Sequence, residues 1–295
     1  MTHRCQTQFT EMLSLVLLLC VVLLSGCDIV REILTQEDDE PLVPDTIAFA
    51  IESINAPEEV HAGARGIEIE ATVVSDANVE KDALNYTWEG PGWFAWEKTT
   101  ANWDAPIDMG LATVTLTVEG GTNGAVTSAA DINIIHALII PGLEAAGIRL
   151  GDGLDRLTML HGEPDDLDDI GFFSYWFSGK GLSGFLDGIG LVDGLFIADP
   201  NTSRTAAGNG IGSHVSSVES ELGAAGEVDK DEDEGTEEHW YWEKGINFDY
   251  DADSNVDSIF VFKPIGVFNV NGAQFRETTA PKDQIRINKA KLEPL

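Results

Sequence analysis

The chain has little cysteine and little positive charge. Its 295 residues hold three cysteines, Cys5, Cys20 and Cys27. That is too few for a disulfide scaffold, so the fold must rest on hydrophobic cores. Lys and Arg number 17 against 51 Asp and Glu, a formal net charge of −34. A polyanion of this kind repels nucleic acid, which excludes nucleic acid as a partner. The acidity serves solubility, or it attracts cations or a basic partner. The apolar run Leu13–Leu24 is broken only by Ser14 and is 12 residues long, whereas a helix needs roughly 20 to span a bilayer. Catalytic motifs are also missing. There is no HExxH, no GxSxG and no P-loop lysine, and His61, His136, His161, His214 and His239 show no metal-binding spacing. No catalytic residue, cofactor or metal is expected, and the chain is expected not to be an enzyme.

The apolar run makes sense as an export signal. His3 and Arg4 precede it, and Leu24-Ser25-Gly26-Cys27 follows it. This end resembles the lipobox of bacterial lipoproteins: an aliphatic residue, two small residues that fit a peptidase cleft, and a cysteine whose thiol accepts a diacylglyceryl group. The resemblance implies a signal peptide over 1–26, cleavage before Cys27, and acyl chains such as palmitate anchoring Cys27 to a membrane of the cell envelope. At about 0.8 kcal/mol per buried methylene, several chains make that anchorage effectively permanent. Cleavage would leave Cys27 as the last cysteine, with no intrachain disulfide. Residues 27–45, with Gln36-Glu37-Asp38-Asp39-Glu40, Pro41 and Pro44, are expected to form an acidic tether.

Residues 46–137 carry the period-two alternation of strands, in Gly66–Val73 and Thr113–Val118, with a turn cluster at Glu119–Gly124 and a last strand near Ile132–Ile135. Trp88, in Leu84-Asn85-Tyr86-Thr87-Trp88, suits a sandwich core. The segments Tyr86-Thr87-Trp88, Trp103-Asp104-Ala105-Pro106 and Val114–Val118 after Gly110 resemble bacterial Ig-like and PKD-like domains. That resemblance implies a β-sandwich and is nearly silent on function.

Residues 145–200 and 208–264 share a pattern. Leu150-Gly151-Asp152 is followed by Gly162, and Ile211-Gly212-Ser213 by Gly223 at the same spacing. Leu154 and Leu157 correspond to Val215 and Val218, the buried face of a short helix, with Asp152 and Ser213 suited to its N-cap. Further on, Lys180-Gly181-Leu182 corresponds to Lys244-Gly245-Ile246, Trp176 to Trp240, Asp187 to Asp251, and Val192–Ile197 to Val256–Val261. The second copy carries extra residues in an acidic loop, Glu227–Glu238. The unit resembles SmpA/OmlA-type (BamE-like) small lipoproteins and the tandem β-lactamase-inhibitor-protein fold. Gly162-Glu163-Pro164 keeps their closing motif and Gly223-Ala224-Ala225 departs from it. The resemblance implies short helices on an antiparallel sheet and protein binding by the sheet face. The fold class expected is therefore mixed: an all-β Ig-like sandwich followed by an α+β tandem repeat. Residues 265–295 form a tail with five basic and three acidic residues, against the trend of the chain. It either packs on an acidic face or stays loose.

Three constellations are weighed as candidate sites. Trp93 and Phe94, in a Gly-Pro loop, would stack on sugar rings if exposed, or cap the core if not. Trp240 and Trp242 would lie on one sheet face with Tyr241 on the other, as a protein-binding surface or as core. Asp249, Asp251 and Asp253 alternate like the start of a calcium loop. The required later Gly and Glu are replaced by Ser254 and Phe260, so a structural turn is expected there. The function expected is a non-catalytic protein-binding or assembly factor in the envelope, with carbohydrate binding or adhesion through the sandwich as the alternative. Mass spectrometry of the protein extracted from bacterial membranes is expected to find Cys27 at the N-terminus carrying acyl chains. A Cys27→Ala form that is still cut and membrane-bound would refute the anchor.

Overall fold

In a computed structural model, the residues described are 49–75, 83–120, 124–169, 173–265, 267–270, 273–276, 282, 285–286 and 289. The signal segment, the lipobox (Leu24, Ser25, Gly26), Cys27 and the tether lie outside them. The chain is mostly β, in several sheets, and two short α-helices lie wholly within the described residues.

The first eight strands are β1 (Phe49–Asn55), β2 (Glu59–His61), β3 (Ile67–Ser75), β4 (Asn85–Glu89), β5 (Trp93–Glu97), β6 (Thr100–Asp104), β7 (Gly110–Glu119) and β8 (Ala125–Ile135). They form two four-stranded sheets, ordered β1-β3-β6-β5 and β2-β8-β7-β4. Alternation decides what lies inside. In β3, Ile69, Ala71 and Val73 are buried while Glu68, Glu70 and Thr72 are exposed. The residues between the sheets include Trp88, Trp103, Val114, Leu116 and Ile132. Both buried indoles have a partner, since Trp88 Nε1 donates to the Lys98 carbonyl at 3.2 Å and Trp103 Nε1 to the Pro91 carbonyl at 2.8 Å.

Three short strands lead onward: β9 (Leu138–Ile139), β10 (Glu144–Ala145) and β11 (Ile148–Arg149). Then come α1 (Leu154–His161), β12 (Asp166–Asp169), β13 (Phe173–Phe177), β14 (Leu182–Leu186) and β15 (Val192–Ala198). The order recurs after β16 (Arg204–Thr205), in α2 (Val215–Leu222), β17 (Glu227–Asp231), β18 (Thr236–Tyr241), β19 (Ile246–Tyr250) and β20 (Val256–Phe262). The two meanders join edge to edge in one eight-stranded antiparallel sheet, β12-β13-β14-β15-β20-β19-β18-β17. Both helices pack on one face, through Leu157 and Val218. Aromatic residues collect on the other. The acidic run Glu227–Glu238, expected as a loop, is the β17–β18 hairpin. A further hairpin pairs β21 (Val267–Val270) with β22 (Ala273–Arg276).

Local bonds recur along with the element order. Gly151 N donates to the Val192 carbonyl and Gly212 N to the Val256 carbonyl. Gly162 N closes α1 on Thr158, and Gly223 N closes α2 on Glu219. The helix caps differ from expectation. The N-cap residues are Gly153 and His214, one position after Asp152 and Ser213. Asp152 is held by Arg65 and by the Arg149 amide, and Ser213 Oγ accepts from the Gly210 amide, so neither side chain is free to cap.

The sandwich is clamped to the helix layer. Arg65 donates to Asp152 through both guanidinium nitrogens and to the Gly147 carbonyl. Arg156, on α1, reaches back to Asp104 at 2.7 Å and to the Gly63 carbonyl at 3.0 Å. Gly63 and Gly147 touch at the centre of the clamp. Both have positive φ, and a methyl group on Gly63 would meet Gly147 Cα at 2.6 Å. The Arg156–Asp104 pair is mostly buried, while Lys180–Asp108 is exposed. Arg156→Ala is therefore expected to cost about 3 kcal/mol, and Lys180→Ala under about 0.5 kcal/mol, in urea denaturation followed by tryptophan fluorescence. Equal effects would refute the clamp.

Candidate functional site

The aromatic face of the eight-stranded sheet has the richest chemistry among the described residues. Strand alternation builds it. In β20, Ile259 and Val261 point to the helices, while Phe260 and Phe262 point to the other side with Phe185, Phe196 and Trp240. Tyr241 lies on the helix side, and Trp240 and Trp242 lie opposite it. The two indoles stack at 4.4 Å with nearly parallel planes.

Carboxylates flank the indoles in register. Asp229 faces Glu238, Glu238 faces Asp249, and Asp249 faces Ser258 across three successive strand pairs. Glu227 faces Trp240 and accepts from Trp242 Nε1 at 2.9 Å. Glu238 accepts from Trp240 Nε1 at 3.0 Å. Like charges directly opposite on neighbouring strands destabilise a sheet, so this row calls for cations.

The C-terminal segment supplies them. Lys282, Ile285, Arg286 and Lys289 are helical, and their spacing puts them on one side of a helix. Ile285 joins the aromatic cluster. Lys282 reaches Glu227 at 3.1 Å and lies over Trp242. Arg286 bridges Glu227 at 2.6 Å and Asp229 at 2.7 Å, over both indoles. Lys289 sits between Glu238 at 3.1 Å and Asp249 at 2.8 Å, with its side chain only 3% exposed. The hydrogen bonds from Lys282, Arg286 and Trp242 hold the Glu227 carboxyl down to about 2. Burial pushes Asp249 up to about 6, against the pull of Lys289 and Ser258.

Of the two alternatives for Trp240 and Trp242, open surface or core, this placement gives the buried one. Both are buried, at 0% and 5% exposure, beneath the chain's own tail. It also bears on the two fates of the tail, whose described residues Lys282, Ile285, Arg286 and Lys289 pack on an acidic face. The helical spacing of Lys282, Ile285, Arg286 and Lys289 was the available sequence signal. The three aspartates do not converge. Asp249 faces Lys289, while Asp251 caps its turn by accepting from the Asp253 and Asn255 amides at 2.9 and 2.8 Å. Asp187 caps the corresponding turn of the first meander through the Ile189 and Leu191 amides, both at 3.0 Å. Among the described residues no cluster of His, Cys, Asp or Glu suits a metal ion, and no helix is long and apolar enough to cross a membrane.

The sandwich places its aromatics differently from a loop. Trp93 and Phe94 are on β5, an edge strand. Phe94 is half-buried, stacks on Trp103 and packs against the core, the capping alternative of its two. Trp93 is 54% exposed, and Trp96 on the same strand is 47% exposed.

No family model matches the chain, and no curated protein does. Among solved structures it is similar to SGBP-B of the Bacteroides ovatus mixed-linkage glucan utilization locus, a structure in complex with a mixed-linkage heptasaccharide. The similarity has a TM-score of 0.22 and 12% identity over 72% of this chain, which spans 58% of that one. A likeness this low says nothing of function.

Asp249 generates a pH prediction. Its folded pKa lies above the ordinary carboxyl value, so its contribution to stability is full below about pH 4 and is lost as pH rises through about 6. Asp249→Asn should therefore gain stability relative to the wild type between these values and show a constant difference above them. Urea midpoints measured across that range test it, and a difference independent of pH would contradict it.

Proposed function

We propose that this chain is an exported lipoprotein of the bacterial cell envelope, held to a membrane by acyl chains on Cys27, whose folded part binds another protein without catalysing a reaction. The anchor is supported by Leu24-Ser25-Gly26-Cys27 and the apolar run before it. The binding role rests on one observation: an aromatic, carboxylate-lined sheet face already engages a basic helical segment. Aromatic and arginine contacts of this kind carry much of the energy in protein interfaces. The sandwich is taken as an Ig-like or PKD-like spacer. The two meanders are taken as copies of one α+β unit, a view supported by the recurring helix, glycine and turn bonds. A net charge of −34 favours a basic partner and makes association salt-sensitive.

A second reading is favoured by Trp93 and Trp96, two exposed indoles on one edge strand. Such rings stack on sugars, and the function would then be carbohydrate binding or adhesion. Photo-crosslinkers placed at Glu234 and at Trp93 in the native cell separate the two. A defined protein captured from Glu234 and not from Trp93 is the expected result. Glycan retention that Trp93→Ala abolishes, with no protein captured at Glu234, would move the function to the sandwich.

A further inference from the structure

The cis contact between tail and sheet is imperfect. Its ion pairs at Glu227 and Asp229 are half-exposed, where such pairs contribute little and weaken with salt. Two buried polar atoms within it, Arg286 Nε and Asp249 Oδ1, have no hydrogen-bond partner among the described residues, and a buried atom left unsatisfied subtracts from what the contact gains. The receptor side is more fully built. Its indoles are stacked and hydrogen-bonded to the flanking glutamates, so they are held in place by the sheet itself.

We infer that this face is a docking site for a basic amphipathic helix of a partner protein, and that Lys282, Ile285, Arg286 and Lys289 occupy it in cis as a replaceable mimic. The inference rests on the protein-binding role proposed above and specifies its partner. The helix that fits carries a cation, an aliphatic residue three positions on, and cations at the fourth and seventh positions, as Lys282, Ile285, Arg286 and Lys289 do. The aliphatic residue enters the aromatic cluster, and the cations neutralise Glu227, Asp229, Glu238 and Asp249 over the indole faces. A partner helix with better geometry displaces the tail. The tail then lowers the partner's apparent affinity in proportion to its own occupancy.

The test uses the full chain and a labelled synthetic peptide of residues 279–295. In the double variant Arg286→Glu, Lys289→Glu, repulsion expels the cis segment. The peptide should bind this variant at least about tenfold more tightly than the wild type, as a site about 90% occupied in cis requires. Binding should weaken as salt rises, and a peptide with Ile285→Asp should not bind. A folded variant that binds no more tightly than the wild type would overturn the inference, while leaving protein binding elsewhere on the chain intact. Hydrogen exchange on the wild type keeps the test decisive if the variant does not fold. Excess peptide should speed exchange at 282–289, and unchanged exchange would overturn the inference. Tail exchange between two copies, seen as a dimer that takes up no peptide, would also overturn it.

Discussion

Everything beyond the sandwich depends on one strand pairing. Gly194 to Ala198 of β15 lie against Ser258 to Phe262 of β20, five residues to five. Without this ladder the eight-stranded sheet becomes two four-stranded meanders, each with a raw inner edge. Apolar burial outweighs the other contributions here. Cross-strand pairs contribute roughly 0.2–1 kcal/mol each, whereas fully burying a large apolar side chain contributes about 1.5–3 kcal/mol. The joint buries Leu195, Ile197, Ile259 and Val261 toward the helices and Phe196, Phe260 and Phe262 toward the opposite face. Gly194 makes the second arrangement possible, because a Cβ there would sit 2.8 Å from the Phe260 ring.

The aromatic face gathers negative charge that the sheet alone cannot balance. Asp229, Glu238 and Asp249 are brought into line by strand register, not by any attraction among themselves. In a chain so poor in Lys and Arg, two of the cations found in the last residues, Arg286 and Lys289, lie along this row. The tail thus completes the face electrostatically while its Ile285 completes the apolar cluster. Lys289 shows the balance most clearly. It is nearly buried, a costly place for an ammonium group, and it is held there by two carboxylates.

What could be read from the sequence was local and periodic. Alternation at Gly66–Val73 and Thr113–Val118 marks segments that lie in β3 and β7. The spacing of Gly151 and Gly162, and of Gly212 and Gly223, brackets the two short helices, with Leu157 and Val218 turned inward. Alternation also placed Trp240 and Trp242 opposite Tyr241. Tertiary partners were not legible. Asp152 has a good capping side chain, yet Arg65, distant in sequence, claims it and Gly153 takes the cap. The acidic run Glu227–Glu238 reads as solvated loop by composition, but pairing with the neighbouring strands makes it a hairpin. Whether Trp240 and Trp242 were open or covered depended on where a segment some forty residues later would lie. No local pattern encodes that.

The two outermost strands of the large sheet end it on purpose-built edges. Three of the four residues of β12 are aspartate, and three of the five in β17 are acidic. The inner edges that fuse at β15 and β20 are by contrast almost wholly apolar. An unpaired strand edge invites other chains to extend it, and natural sheets resist this with charge. Two molecules meeting edge to edge would bring together strands rich in acidic residues. Acidic residues on both outer strands therefore disfavour growth of the sheet beyond the eight strands of one chain.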